Sequence, residues 1–190
     1  MTESKHLLDA DALGRTIRRM ADDLAALIPS PDQAVLVGIL THGVSLARRI
    51  QDRLARDHGW HVPLGTLDTT LYRDDFHQLD RQPAVRPTVI DFDVTDKTVI
   101  LFDDVLYTGR TVRCALDEIM DFGRPRAIRL VALVDRGLRE LPIQPDVVGV
   151  TAETTPDQKV EVRFREGAVD SSRRDEEEGV WIHQTGDSSP

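Results

Sequence analysis

The chain has 190 residues, enough for one domain with a small appendage and a core that needs no covalent staple. Its single cysteine, Cys114, excludes an internal disulfide and a cysteine-rich zinc site, and fits a reducing compartment. The net charge of −9 argues against a surface that grips nucleic acid everywhere, though not against a local basic patch, and no apolar run approaches the roughly 18 residues that span a bilayer.

The N-terminus, MTESKHLLDADALG, carries acidic residues where a signal peptide needs basic and then apolar ones, so a cytoplasmic location is expected. Leu13, Ile17, Met20, Leu24 and Leu27 recur at steps of four and three and predict a helix over about 11–28, stopped by Pro29-Ser30-Pro31. Ala34–Ile39 reads as a buried strand. Thr41-His42-Gly43 reads as a tight loop, followed by a helix over about 44–56. Leu64–Thr70 is a second strand. Tyr72–Pro87 is polar and without periodicity, a long loop of the kind that is either functional or disordered. Thr98–Phe102 is a strand, Asp103–Gly109 a loop, and Val112, Ala115, Leu116, Ile119 and Met120 a helical stripe that ends near Gly123 and Pro125. Ile128–Val134 is another strand, with shorter candidates at Val147–Val150 and Val160–Phe164. The domain therefore covers 1–165, and 166–190 is expected to be a charged, mobile tail apart from Val180-Trp181-Ile182.

Strands alternating with helices predict an α/β fold, a parallel sheet flanked by helices. Ligands of such sheets sit beyond the carboxyl ends of the strands, where both Thr41–Gly43 and Asp103–Thr111 fall. The second segment carries the chemistry. An apolar strand delivers Asp103 and Asp104, then Val105-Leu106-Tyr107-Thr108-Gly109-Arg110-Thr111 runs into a helix. Free amides and hydroxyls at a helix start cradle phosphate. Gly109 removes a Cβ where backbone must approach a ligand. Two adjacent carboxylates can hold ribose hydroxyls or a hydrated Mg2+. Either feature alone is usually only a solvated turn or a cap; the thirteen residues Val99–Thr111 together are far more specific.

This segment resembles the motif by which type I phosphoribosyltransferases bind 5-phosphoribosyl-1-pyrophosphate (PRPP). Together with Leu67–Asp75, Phe122–Gly137 and Arg139–Ile143, it resembles the PyrR family over about 7–165. That family consists of pyrimidine-operon attenuation regulators with uracil phosphoribosyltransferase activity. The resemblance implies a type I phosphoribosyltransferase fold with a small hood built from the N- and C-terminal parts. It implies Mg2+, PRPP, uracil and UMP or UTP as ligands, operon leader RNA as a partner, and a homo-oligomer, dimeric or higher. Asp103 and Asp104 would hold the ribose hydroxyls, and the metal through PRPP and water. Residues Tyr107, Thr108, Gly109, Arg110 and Thr111 would hold the 5-phosphate, with Val105 and Leu106 also in the PRPP-binding segment. Thr41 and His42 would lie in the pyrophosphate loop, and Tyr72, Arg73 and Asp74 in a loop that closes over PRPP. Asp135 and Arg136 would flank the base pocket, with Val160 in the hood meeting the base through its backbone. Purine-type relatives carry a carboxylate at the position of Tyr107, which weighs toward a pyrimidine.

Arg73 would act with Asp103 and Asp104 in catalysis. Its charge would be delivered on closure, so Arg73→Ala is expected to lower kcat more than PRPP affinity in steady-state and binding assays. The sequence departs from the family pattern in the pyrophosphate loop, where His42 replaces an arginine. Histidine ordinarily titrates near neutrality, so leaving-group stabilisation would become pH-dependent unless a backbone amide does the work. On the surface that family members turn to RNA, Arg15, Arg18, Arg19 and Arg139 remain. Asp22, Leu138, Gln144 and Val150 stand where basic or polar groups are usual. Loss of about three phosphate contacts predicts RNA affinity lower by about two orders of magnitude. An RNA attenuator, or a PRPP sensor with little turnover, remains the alternative to an active enzyme. His58 and His61 bracket Trp60 and read as a surface turn after the helix in preference to a metal site. Cys114 reads as lying just off the helical stripe.

Overall fold

The computed structural model describes residues 4–69, 87–165 and 177–184. Tyr72, Arg73 and Asp74 lie outside them, as does most of the segment predicted to be a loop over Tyr72–Pro87.

In chain order the elements are β1 (Ser4–Leu8), α1 (Ala10–Leu27), a 3-10 turn at Pro31–Gln33, β2 (Ala34–Ile39), α2 (His42–His58), β3 (Leu64–Leu67), β4 (Thr98–Leu106), α3 (Arg110–Asp121), β5 (Ala127–Asp135), β6 (Val147–Thr151), β7 (Gln158–Arg163) and β8 (Gly179–Gln184). Strands β3-β2-β4-β5-β6 form a parallel sheet in that order, and β1-β8-β7 an antiparallel one. The first is the α/β core foreseen from the sequence. Its order reverses between β2 and β4, because β2 runs on to β3 at one side and β4 to β5 and β6 at the other. A crevice opens at such a point, beyond the strand carboxyl ends.

Alternation along β4 feeds two cores. Ile100 and Phe102 join α1, α2 and the three-stranded sheet on one face. Val99 and Leu101 join α3 on the other. Helix α1 buries Leu13, Ile17, Met20, Ala21 and Leu24 as its periodicity requires. Its four large apolar side chains contribute roughly 6–12 kcal/mol before ordering costs, at about 1.5–3 kcal/mol each. Cys114 is buried within α3, not beside the stripe.

The residues set apart from the expected tail, Val180-Trp181-Ile182, are ordered, within a longer strand. Gly179–Gln184 is the central strand of the small sheet, pairing β1 on one side and β7 on the other. Val180 and Ile182 point into the core. On the outer face Trp181 stacks on His6, with ring centroids 4.8 Å apart, and under the Arg163 guanidinium. The hood therefore needs residues beyond 165. Strand β1 was missed because five residues at a polar terminus carry too little alternation. Thr41-His42-Gly43 is also less of a loop than predicted, since α2 begins at His42.

Candidate functional site

The crevice at the switch point is a cleft of about 790 Å3 lined by Ile39, Leu40, Thr69, residues 103–112, Arg136, Glu140 and Lys159. Asp103–Thr111, the part of that segment beyond its apolar strand, therefore shares one cavity wall. The acidic pair was expected in a loop. Instead β4 continues through it to Leu106, because Asp103, Val105 and Leu106 pair with Ala132, Val134 and Asp135 of β5. Strand pleating then sends the two carboxyls to opposite sides of the ribbon. Asp103 is buried and its Oδ1 accepts the Asp104 amide at 3.1 Å. Asp104 lies toward the start of α2. Burial raises its carboxyl above the ordinary aspartate value, opposed in part by the charge of His42.

The helix starts distinguish binding from structure. Helix α1, away from the cleft, is capped by Asp9, whose Oδ1 accepts the Ala12 amide at 2.7 Å. Helices α2 and α3 have no side-chain cap, at Thr41 and Gly109 respectively. At α3 the Arg110 amide donates to Thr108 Oγ1 at 3.3 Å, and the amides that follow it, like those that open α2, have no side-chain cap, which is the arrangement that binds phosphate. Gly109 has φ of +92°, and a Cβ there would press on Ile143 at 3.3 Å. The φ is what favours glycine, since the Ile143 side chain can give way. The Leu40–Thr41 peptide bond is cis.

His42 and Thr41 do not line the cleft. The imidazole leans on Phe164, centroids 6.1 Å apart, and its Nδ1 is buried without a hydrogen-bond partner among the described residues. The cleft wall on this side is formed by Ile39 and Leu40, which lead into α2. Arg136 does line the cleft. Its guanidinium lies 4.1 Å over the Tyr107 ring and donates to Thr154 Oγ1 and the Thr155 carbonyl, both at 3.0 Å. Asp135 turns away, because its carboxylate accepts the Gly137 amide at 2.9 Å and pairs with Arg139 at 2.7 Å. Val160 is buried in β7, while its neighbour Lys159 reaches the cleft.

Sequence reasoning missed Lys159 and Glu140. Alternation along β7, with Val160 and Val162 inward, was the available signal for Lys159. Glu140 sits beside Arg110, Oε2 to Nε 2.6 Å, an exposed ion pair at the mouth.

The basic residues assigned to RNA divide in two. Arg15 and Arg18 are exposed on α1. Arg19 is engaged by Asp23 at 2.8 Å and by the Val148 and Gly149 carbonyls of β6. Arg139 is largely buried under the 106–109 turn, so its place on an RNA surface is not borne out. His58 pairs with Asp22 at 2.9 Å. Among the described residues no three acidic, histidine or cysteine side chains converge on a metal position. Two carboxylates without a third ligand suit Mg2+, which keeps waters and takes phosphate oxygens, better than a cation that needs a full protein cage. No described helix is long and apolar enough to cross a membrane.

A model of the phosphoribosyl transferase domain matches residues 3–166. The chain is 47% identical over 172 residues to the bifunctional protein PyrR of Pelotomaculum thermopropionicum, covering 90% of this chain and 94% of that one. It is 46% identical over 166 residues to the protein of the same name from Clostridioides difficile, covering 87% and 94%. Among solved structures, hypoxanthine-guanine phosphoribosyltransferase of Bacillus anthracis superposes with a TM-score of 0.70 at 15% identity, covering 96% of this chain and 99% of that one. At that identity the likeness concerns the fold alone.

Proposed function

The chain belongs to the PyrR family of phosphoribosyltransferases, and on that premise we propose that it converts uracil and PRPP to UMP and pyrophosphate in the cytoplasm with Mg2+. One observation carries the reading. A single cleft joins a ribose-binding carboxylate pair at the end of β4 to an uncapped helix start, at the point where the strand order reverses.

In this reaction the uracil N1–C1 bond forms as the C1–O bond to pyrophosphate breaks, and the N1 proton leaves. Positive charge develops at C1, so orientation, leaving-group neutralisation and exclusion of water set the rate. Asp103 and Asp104 fix the ribose hydroxyls. The amides that open α3 take the 5-phosphate and those that open α2 take the pyrophosphate. Mg2+, when bound, neutralises charge on the leaving group, held by Asp103 and Asp104 through PRPP and water. Lys159 and Arg136 add positive charge to a cleft in a chain of net charge −9.

The Arg136–Tyr107 stack forms the floor of the base pocket, and β7, at the edge of the small sheet, offers backbone groups beside Val160. Arg136→Met keeps the volume and removes the charge. It is expected to raise the uracil KM about tenfold, equivalent to about 1.4 kcal/mol, while the Kd for PRPP moves less than threefold. The deciding experiment for the function incubates the protein with PRPP, Mg2+ and each of uracil, hypoxanthine and orotate. Pyrophosphate is expected with uracil alone; none with any base leaves a PRPP sensor.

Regulation through leader RNA is the second function the family name suggests. The basic face supports it only weakly, since Arg19 and Arg139 are engaged within the protein. Binding to the leader RNA of the organism's pyrimidine genes, with UMP and at physiological salt, is expected to be weaker than micromolar in a gel shift. Submicromolar, UMP-enhanced binding that a shuffled RNA lacks would restore the regulator. The proposed homo-oligomer is open to sedimentation analysis.

A further inference from the structure

The turn 106–109 presents amides to the cleft, and a turn that does so must dispose of its carbonyl oxygens elsewhere. The Leu106 carbonyl accepts the Arg136 amide at 3.1 Å and the Gly109 carbonyl the Arg113 amide at 2.9 Å, and the two between them are taken up by the segment 139–141. Arg139 Nη1 donates to the Tyr107 carbonyl at 2.9 Å, to that of Gly137 at 3.1 Å and, at the 3.5 Å limit, to that of Leu106. Its Nε donates to the Ile143 carbonyl at 3.0 Å. The amides of Glu140 and Leu141 donate to the Thr108 carbonyl at 3.0 and 3.2 Å. The guanidinium is held from its other side by Asp135, Nη2 to Oδ2 2.7 Å, and Asp135 is itself fixed by the Gly137 amide. Leu141 and Ile143 close against the face of Gly109 where a Cβ would be.

We propose that Arg139 is a positioning residue for the 5-phosphate. It holds the Tyr107 carbonyl, the one carbonyl of the turn that no described backbone amide takes, at the back, so that the N–H groups and the threonine hydroxyls face the ligand. Carbonyl oxygens left at the front would repel a dianion in a partly enclosed cleft, where charge interactions are several times stronger than in water. A guanidinium suits the task because its five N–H donors fan out in a plane, whereas an ammonium offers three from one point. With these donors engaged inside the fold, Arg139 has little left for phosphates of RNA. Asp135 belongs to the same device: it orients Arg139 and does not meet the base.

The inference rests on the PRPP reading, and its test separates the two. Calorimetry measures binding of PRPP with Mg2+, of ribose 5-phosphate and of pyrophosphate with Mg2+ to the wild type, Arg139→Lys and Arg139→Ala, with thermal melts alongside. The 5-phosphate ligands are expected to weaken about thirtyfold in Arg139→Ala and about fivefold in Arg139→Lys. Pyrophosphate, held at the start of α2, should change less than twofold. A merely structural role would lower Tm and leave the selectivity among the three ligands unchanged. A folded Arg139→Ala that binds ribose 5-phosphate like the wild type overturns the proposal. If Arg139→Ala does not fold, Arg139→Lys decides, and unchanged affinity there overturns it equally. A wild type that binds neither PRPP nor ribose 5-phosphate defeats the PRPP reading itself.

Discussion

Replacing both cleft carboxylates, Asp103→Asn with Asp104→Asn, is expected to weaken PRPP binding about a thousandfold and to remove turnover. The amide keeps the shape and the Oδ1 that accepts the Asp104 amide, so the change isolates charge. Each substitution replaces a charge-assisted hydrogen bond to a ribose hydroxyl, about 1.5–3 kcal/mol, so the pair together costs about 4 kcal/mol, close to a thousandfold. Calorimetry with PRPP and Mg2+ reads the effect, and an affinity within tenfold of the wild type would remove the ribose-binding role of the pair.

The same pair predicts a pH dependence. Burial raises Asp104 above its ordinary value, so the free protein holds that proton at pH values where an unfolded chain has released it. Stability attached to Asp104 is therefore present at low pH and is lost as pH rises through its raised value. Ligand binding runs the other way, because Mg2+ and ribose hydroxyls need the ionised form. PRPP affinity should fall as pH drops through the raised value. The double variant, freed of a carboxylate that burial opposes, should melt at neutral pH no lower than the wild type, the pattern expected where function costs stability.

Much of this site is legible in the sequence because it is local. Val99–Thr111 carries strand, acid pair, glycine and helix start in one run, and the fold needs only to place that run at the switch point. What the sequence hid is non-local. Lys159 enters from the hood, some 55 residues along the chain from the pair it faces. Arg139 reads as a surface cation until the 137–143 segment is seen folded against 106–109. His42, prominent by its motif position, turns out to face Phe164 and does not line the cleft. The strand β8 was underweighted because the charges of 166–178 mask four residues, Val180–His183, whose alternation is correct for a sheet.

Gly43 is where core and site meet, and Gly43→Ala is expected to damage both. Gly43 is buried in the first turn of α2. A Cβ there would overlap the Phe102 carbonyl oxygen and lie 3.2 Å from its carbon and 3.3 Å from Asp103 Cα. These are backbone atoms of the central strand and cannot rotate away. The only relief is to move α2 off β4. Gly38 repeats the constraint from β2, since its own Cβ would stand 2.6 Å from Val44 Cα. Overpacking of this kind costs about 1–3 kcal/mol, and against backbone that cannot rotate away the upper end applies. At about 2–4 °C per kcal/mol for a chain of this size, Tm should fall by roughly 6–12 °C. The catalytic cost follows from the same movement. The start of α2 would shift by a fraction of an ångström to one ångström relative to Asp103 and Asp104, and a displacement of about 1 Å costs on the order of a hundredfold in rate. Melting curves and kcat measured well below the variant's Tm separate the two effects. A variant with wild-type Tm and wild-type kcat would show that α2 does not approach β4 as closely as this, and with it would go the placement of the α2 amides on the pyrophosphate.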